Sequence, residues 1–172
     1  MKSDSRPSWQ RYFMQIAKDV SERGTCLSAK GGCVIVKNKR IVSTGYIGAP
    51  RKSKDCLERG LCLRRQLKIP SGHRYEICRS VHAEQNAIIN AARVGVDTVD
   101  ADMYLHMRKF GETLIDSMPC FICKKMIINA GIKDFYGIMS DGRIKKFSVK
   151  KWVEDWSKND MVDDKELYDA KY

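Results

Sequence analysis

Two short motifs, each opening a predicted helix, set the tightest limit on how this chain folds. Val81-His82-Ala83-Glu84 leads into an apolar-periodic stretch that Gly95 closes. Met118-Pro119-Cys120-Phe121-Ile122-Cys123 leads into another that ends at Gly131. Cys120 and Cys123 are three apart, so on a helix their sulfurs share a face and can grip one ion. The positive end of the helix dipole there favours thiolate over thiol. His82 supplies a third candidate ligand. Three protein ligands leave a fourth tetrahedral position open, the arrangement of a catalytic rather than a structural zinc. The fold must then bring two helix N-termini, about 35 residues apart in sequence, to one point.

The cysteine count agrees with metal chemistry. The 172 residues hold seven cysteines, an odd number, and MKSDSRPSWQ at the start has no apolar leader. A full disulfide framework explains this poorly, and a cytoplasmic, reducing setting explains it better. The length fits one domain, expected over residues 1–156 with residues 157–172 as an acidic tail. Apolar residues make up 43% of the chain, which excludes a disordered polymer. No apolar run reaches the roughly 18 residues of a membrane span, so no membrane partner is expected. The net charge of +11 is concentrated early: residues 1–80 hold 18 Lys/Arg against 6 Asp/Glu, whereas residues 81–156 hold 11 against 10. That excess suits an anionic partner, a nucleotide phosphate or a nucleic acid, or is simply a solvated basic surface.

Periodicity gives the elements. Trp9, Tyr12, Phe13, Ile16, Ala17 and Val20 form the apolar stripe of a helix over 8–23. Cys33–Val36 and Ile41–Thr44 read as a hairpin turning at Asn38 and Lys39. Residues 47–80, rich in glycine, proline, cysteine and charge, read as a long loop that needs its own source of order. Helices follow at 81–94 and 120–130, strands at 103–106, 134–139 and 144–149, and a short C-terminal helix carries Trp152 and Trp156 as a packing pair. The alternation predicts an α/β domain with helices on both sheet faces.

His-x-Glu followed by Pro-Cys-x-x-Cys is the signature of zinc-dependent nucleobase deaminases. Further segments extend the likeness: Arg6–Trp9, Phe13–Ala17, Cys33–Val36, Ser43–Tyr46, Gly48–Pro50, Cys78–Ile88 and Met126–Ile132. Over roughly residues 6–140 the chain resembles the deoxycytidylate (dCMP) deaminase family of the cytidine deaminase-like superfamily. The resemblance implies a three-layer α/β/α fold around a mixed, roughly five-stranded sheet. It implies one catalytic Zn2+ on His82, Cys120 and Cys123, with dCMP converted to dUMP and ammonia. It also implies a nucleotide substrate, a nucleotide effector such as dCTP or dTTP, and a homo-oligomer. Two thiolates weaken the zinc as a Lewis acid, so a proton shuttle is needed, and Glu84 takes that role by resemblance. His82 and Glu84 are two apart, and a regular helix points such residues in different directions. Backbone N–H groups at Ala83 and Cys120 are expected beside the reacting base.

The chain departs from the family at three places. Ile47 stands where the family has a substrate-contacting asparagine, and isoleucine has no hydrogen-bonding side chain. Arg51–Lys54 lacks the family's glycine, which bears on effector binding. The connector over 108–118 is longer than the family's and reads as a specificity hairpin or a surface insertion.

Cys26, Cys56, Cys62 and Cys78 border or lie in the 47–80 loop and are candidates for a second, closed, structural zinc site; the alternative is free thiols. Cys33 reads as a small core residue. His73 and His106 read as surface or strand residues. Arg64, Arg65, Lys68, Arg74 and Arg79 are candidate phosphate ligands. Two rival functions remain at this point. One is deamination of another amino-heterocycle, such as a nucleic-acid base, a nucleoside, a guanine-type purine or a secondary metabolite. The other is a zinc-stabilised nucleic-acid-binding or scaffold protein.

Overall fold

A computed structural model describes residues 6–70, 72–109 and 111–159. In chain order the elements are α1 (Trp9–Ser21), β1 (Ala29–Lys37), β2 (Arg40–Tyr46), α2 (Cys56–Arg59), α3 (Leu63–Gln66), a 3-10 turn (Tyr75–Ile77), α4 (Ala83–Arg93), β3 (Asp102–Lys109), α5 (Phe121–Asn129), β4 (Asp134–Ile138), β5 (Ile144–Ser148) and α6 (Val149–Lys158). They build one five-stranded sheet ordered β2-β1-β3-β4-β5. β3 and β4 run parallel and the other neighbours antiparallel. This is the expected mixed-sheet α/β fold. α6 runs through the expected 156/157 boundary, and residues 160–172 of the expected tail lie outside the described residues.

Side-chain alternation along β1 shows why the sheet needs helices on both faces. Val34 and Val36 pack with Phe13, Met14 and Ala17 of α1 and with Tyr104 of β3. Cys33 and Ile35 point the other way, into a core with Ala83 and Ala87 of α4, Cys123 and Ile127 of α5, and Phe135 of β4. Fully burying a side chain such as Leu105, Ile127 or Phe135 contributes about 1.5–3 kcal/mol. Trp152 of α6 finishes this layer against Phe135, at 5.8 Å between ring centroids. Asn38 and Lys39 both take positive φ, 51° and 61°, as a tight two-residue hairpin between twisted strands demands. Two strand glycines set how closely the helices approach. A Cβ on Gly32 would strike the backbone of Ala17 and Ser21 in α1, and one on Gly45 would strike Ala83 and Ala87 in α4.

Two expectations change in detail. α4 and α5 begin later than the motifs suggest, because His82 and Cys120 are N-caps with extended ψ values of 157° and 169°. The 47–80 segment is more structured than a loop. Gly48 and Val81 exchange backbone hydrogen bonds of 3.2 and 2.8 Å, so the ends of the excursion are tied. Inside it, α2 opens with a capping box between Asp55 and Glu58 and closes at left-handed Gly60. The 108–118 connector folds back on β3 as a hairpin, with Lys109 N–H donating to Thr113 C=O at 2.8 Å.

Candidate metal centre and substrate pocket

α4 and α5 present their first turns to each other, and this brings the three candidate ligands together. His82 Nδ1 lies 3.5 Å from Cys120 Sγ and 3.4 Å from Cys123 Sγ. The ligand atoms all fall within 4.8 Å of one another. Bonds of about 2.3 Å to sulfur and 2.0 Å to nitrogen at a tetrahedral angle put those atoms about 3.5 Å apart, so the cluster fits a zinc ion. His82 is held in place by its own backbone N–H, which donates to Gln85 Oε1 at 3.1 Å, and by the Tyr75 ring, edge-on at 4.9 Å.

Glu84 joins them despite its spacing. His82 is off the helical spiral, so the rule that separates residues i and i+2 on a helix does not apply between them. Glu84 is 3% exposed, and its carboxyl bonds with the Cys123 thiol. Burial pushes the Glu84 carboxyl above its ordinary range, against the opposing pull of His82. The Cys123 thiol, hydrogen-bonded to Cys120, holds the Cys120 sulfur as thiolate down to about 4. The same contact, with burial, pushes Cys123 up. The two sulfurs thus share a proton, which a divalent cation held there would displace. Burial depresses His82, but its contact with Cys120 and the charge of Glu84 together outweigh that and raise it. Cys33 lies beneath, fully buried, its thiol pushed up first by burial and then by Glu84.

A pocket of about 420 Å³ opens above this centre. His82, Glu84 and Cys120 form its floor; Ile47, Met107, Ile115 and Met118 make an apolar wall; Arg64, Arg65 and Lys109 bring positive charge. The Arg64 guanidinium sits 4.6 Å over the Tyr75 ring and donates to Pro70 C=O at 2.7 Å. Ile47 is 7% exposed, and Ala83 is fully buried as the first residue of α4. Of the five cationic candidates, Arg64 and Arg65 line the pocket. Arg74 pairs with Glu76, Arg79 donates to Leu61 C=O, and Lys68 is exposed. Lys109 was legible only as part of the 108–118 connector, and Tyr75 was not legible as a site residue at all. Lys109 carried a signal in retrospect, since it continues the Met103, Leu105, Met107 face of β3, whereas Tyr75 in its irregular segment carried none.

The remaining cysteines gather without closing. Burial and the neighbouring Cys26, Cys62 and Cys78 push the Cys56 thiol up, so the four are electrostatic neighbours. Ser28 ties two of them, donating from N to Cys26 Sγ at 3.3 Å and from Oγ to Cys62 Sγ at 3.6 Å. Among the described residues, His82, Cys120 and Cys123 are the group drawn to ligating spacing. His73 is half-buried in the turn before the 3-10 segment. His106 is in strand β3 and faces the opposite side of the sheet from Met107.

Comparison with known proteins agrees with this geometry. Residues 7–139 match the cytidine and deoxycytidylate deaminase zinc-binding region. A deoxycytidylate deaminase of Schizosaccharomyces pombe is 36% identical over 129 residues, 75% of this chain and 36% of that protein. The chain thus spans little more than a third of the length of that relative. A deoxycytidylate deaminase of Mycobacterium phage D29 is 34% identical over 134 residues, 75% of this chain and 93% of that one. The structure of a dCMP deaminase from the cyanophage S-TIM5 in complex with dCMP and dUMP superposes with a TM-score of 0.53 at 26% identity, covering 74% of this chain and 79% of that one. With a matching family region over most of its length and a His/Cys/Cys cluster that fits zinc, this chain belongs to the cytidine and deoxycytidylate deaminase zinc-binding family.

Proposed function

We propose that this chain is a zinc-dependent hydrolase that deaminates a cytosine nucleotide, with dCMP to dUMP and ammonia as its reaction. The observation that carries the reading is a buried carboxyl of raised affinity for protons, Glu84, on the pocket floor with His82 and Cys120, which together with Cys123 form a zinc-fitting cluster. Bound there, zinc supplies a Lewis acid that acidifies water from about 15.7 toward about 7. Glu84 then accepts a proton from pocket water, hands it to the ring nitrogen N3, and carries the next one to the departing 4-amino nitrogen. The balance is one water in, and one carbonyl oxygen and one ammonia out. Ile47, Met107, Ile115 and Met118 exclude bulk water around the base, which strengthens each polar contact inside. Arg64, Arg65 and Lys109 hold the phosphate, and the N–H groups of Ala83 and Cys120 face the base.

The wider picture belongs to the same proposal. It is one catalytic unit that extends past the expected boundary at 156 to the end of α6, working in the reducing cytoplasm that free thiol ligands require, self-assembled, and open to a nucleotide effector. No described helix is long and apolar enough to cross a membrane. The apolar wall at Ile47 favours a second reading, in which the same chemistry acts on a different amino-heterocycle.

Ammonia release from the zinc-loaded protein, screened over dCMP, CMP, dCTP, cytidine, cytosine and guanine, tests both. Turnover of dCMP above the others is expected. Selective turnover of a non-cytosine ring supports the second reading, and silence on every compound removes the enzymatic one.

A further inference from the structure

The sheet carries a second cavity on its other face, and the proposed reaction leaves it unused. It lies between α1, the outer end of β3 and the β4–β5 turn, and encloses about 1000 Å³. Arg11 and Lys18 of α1, His106 and Arg108 of β3, Glu112 of the hairpin and Arg143 of the turn line it. Four of these are fixed cations and one is an anion. We propose that this cleft is a binding site for a phosphoryl-bearing small anion.

The first support is unspent hydrogen-bonding capacity. His106 and Arg108 are 3% and 2% exposed. Among the described residues, His106 Nδ1 and Arg108 Nε are buried without a hydrogen-bond partner. Leaving a buried polar group unsatisfied is costly, and native proteins carry few of them. Here two fall on successive same-face positions of one strand, both lining one cavity. Burial, then the charges of Arg108 and Lys18, pull His106 down to about 4, so its ring is neutral near pH 7 and can donate without adding charge. Among the groups facing it, Glu22 and Glu112 oppose that shift and are the carboxylates already paired with Arg108. An incoming oxyanion would share the Arg108 guanidinium with Glu112, which is 68% exposed on its side chain and free to swing out.

The second support is separation from the reaction pocket. Met107 and Lys109 line the pocket over the metal centre, whereas His106 and Arg108 line the cleft, because successive strand residues face opposite sides. The hairpin that follows repeats the division: Glu112 and Leu114 border the cleft, and Ile115 borders the pocket. An anion that draws Glu112 away from Arg108 therefore acts on a ribbon whose other side is the pocket wall. Any coupling between the two sites must be reciprocal.

Calorimetric titration of the zinc-loaded chain with inorganic diphosphate at low ionic strength tests the site without relying on deamination. Arg11 and Lys18 are exposed on α1 and outside the reaction pocket, so Arg11→Gln/Lys18→Gln is a mild change to the fold. The wild type is expected to show a binding event whose affinity falls at least tenfold in that double variant. The same event should persist within twofold in Arg64→Gln/Arg65→Gln, and His106→Gln should weaken it at least fivefold. The proposal is overturned if the wild type gives no heat of binding. It is equally overturned if no event depends on Arg11 and Lys18, since the anion then belongs to the reaction pocket. Because binding alone is read, a chain that turned over no cytosine nucleotide would still give a clear answer.

Discussion

Single side chains carry the sharpest tests, and Glu84 is the first. Its carboxyl is buried beside Cys123, where burial raises its proton affinity, so it is suited to hold a proton between transfers. Glu84→Gln keeps the shape and removes the titration. Zinc content measured by elemental analysis should stay at the wild-type value while ammonia release falls about 10²–10⁴-fold. Near-normal turnover in that zinc-loaded variant would remove the proposed role. The three members of the zinc-fitting cluster were legible as candidates from their types and spacing. The meeting of His82 with Glu84 was not, because it depends on an N-cap whose extended backbone no spacing rule encodes. His106 was equally hidden: a lone histidine on a strand gives no hint that it lies buried with a nitrogen unpartnered among the described residues. It yields a pH prediction. Its folded value of about 4 lies below the ordinary 6.5, so between those limits the unfolded chain takes up a proton that the folded chain refuses. Stability is therefore whole above pH 6.5 and declines as the pH falls toward 4. Discounted for partial screening, the loss is on the order of 1 kcal/mol. Urea unfolding at pH 7 and pH 5 should show the wild type losing more stability than His106→Gln; equal losses would contradict it.

Elements were legible where local chemistry decides them. Asn38-Lys39 announces its hairpin, the apolar stripe of α1 announces the helix, and Gly131 takes the left-handed conformation that ends α5. The 47–80 segment was illegible for the opposite reason: its ends are tied by a bridge between Gly48 and Val81, two residues far apart in sequence. Gly45 shows how such long-range contacts place the centre. A methyl group there meets main-chain atoms of Ala83 and Ala87, which have no rotamer to yield, and Ala83 is the first residue of the helix that His82 caps. Gly45→Ala should cost about 1–3 kcal/mol by overpacking and should lower zinc retention by displacing the start of α4. Gly60→Ala is the control. Nothing crowds that site, and only the left-handed backbone at φ 65° opposes the change, at about 1 kcal/mol with zinc retained. Chemical denaturation with parallel zinc assay distinguishes the two. If Gly45→Ala unfolds like the wild type and keeps its zinc, the sheet contact does not set the helix position.

In the molecule as a whole, the 49–80 excursion is the part whose order local propensity explains least. It holds two helices of one turn each, yet it supplies Cys62, Arg64, Arg65, Ile69, Tyr75 and Cys78 to the pocket wall. A wall built on so little regular structure needs a fastening. Cys56, buried and flanked by Cys26, Cys62 and Cys78, lies where a second zinc would join the start of β1 to both ends of the excursion. Four sulfurs around zinc sit about 3.8 Å apart, given bonds of about 2.3 Å, and the four are not drawn to that spacing here, so binding would have to pull them together. With zinc on these four thiols as well, about two zinc ions per wild-type chain are expected. Cys56→Ser/Cys78→Ser should hold one, melt at a lower temperature and raise the substrate KM more than it lowers kcat, since the proposed zinc ligands and Glu84 are untouched. Metal that binds only the folded state adds stability by mass action, so the melting difference between the two proteins should shrink as a chelator strips the wild type. A wild-type value near one, with identical melting of the variant, would leave these four residues as free thiols and put the fastening in the Gly48–Val81 bridge alone.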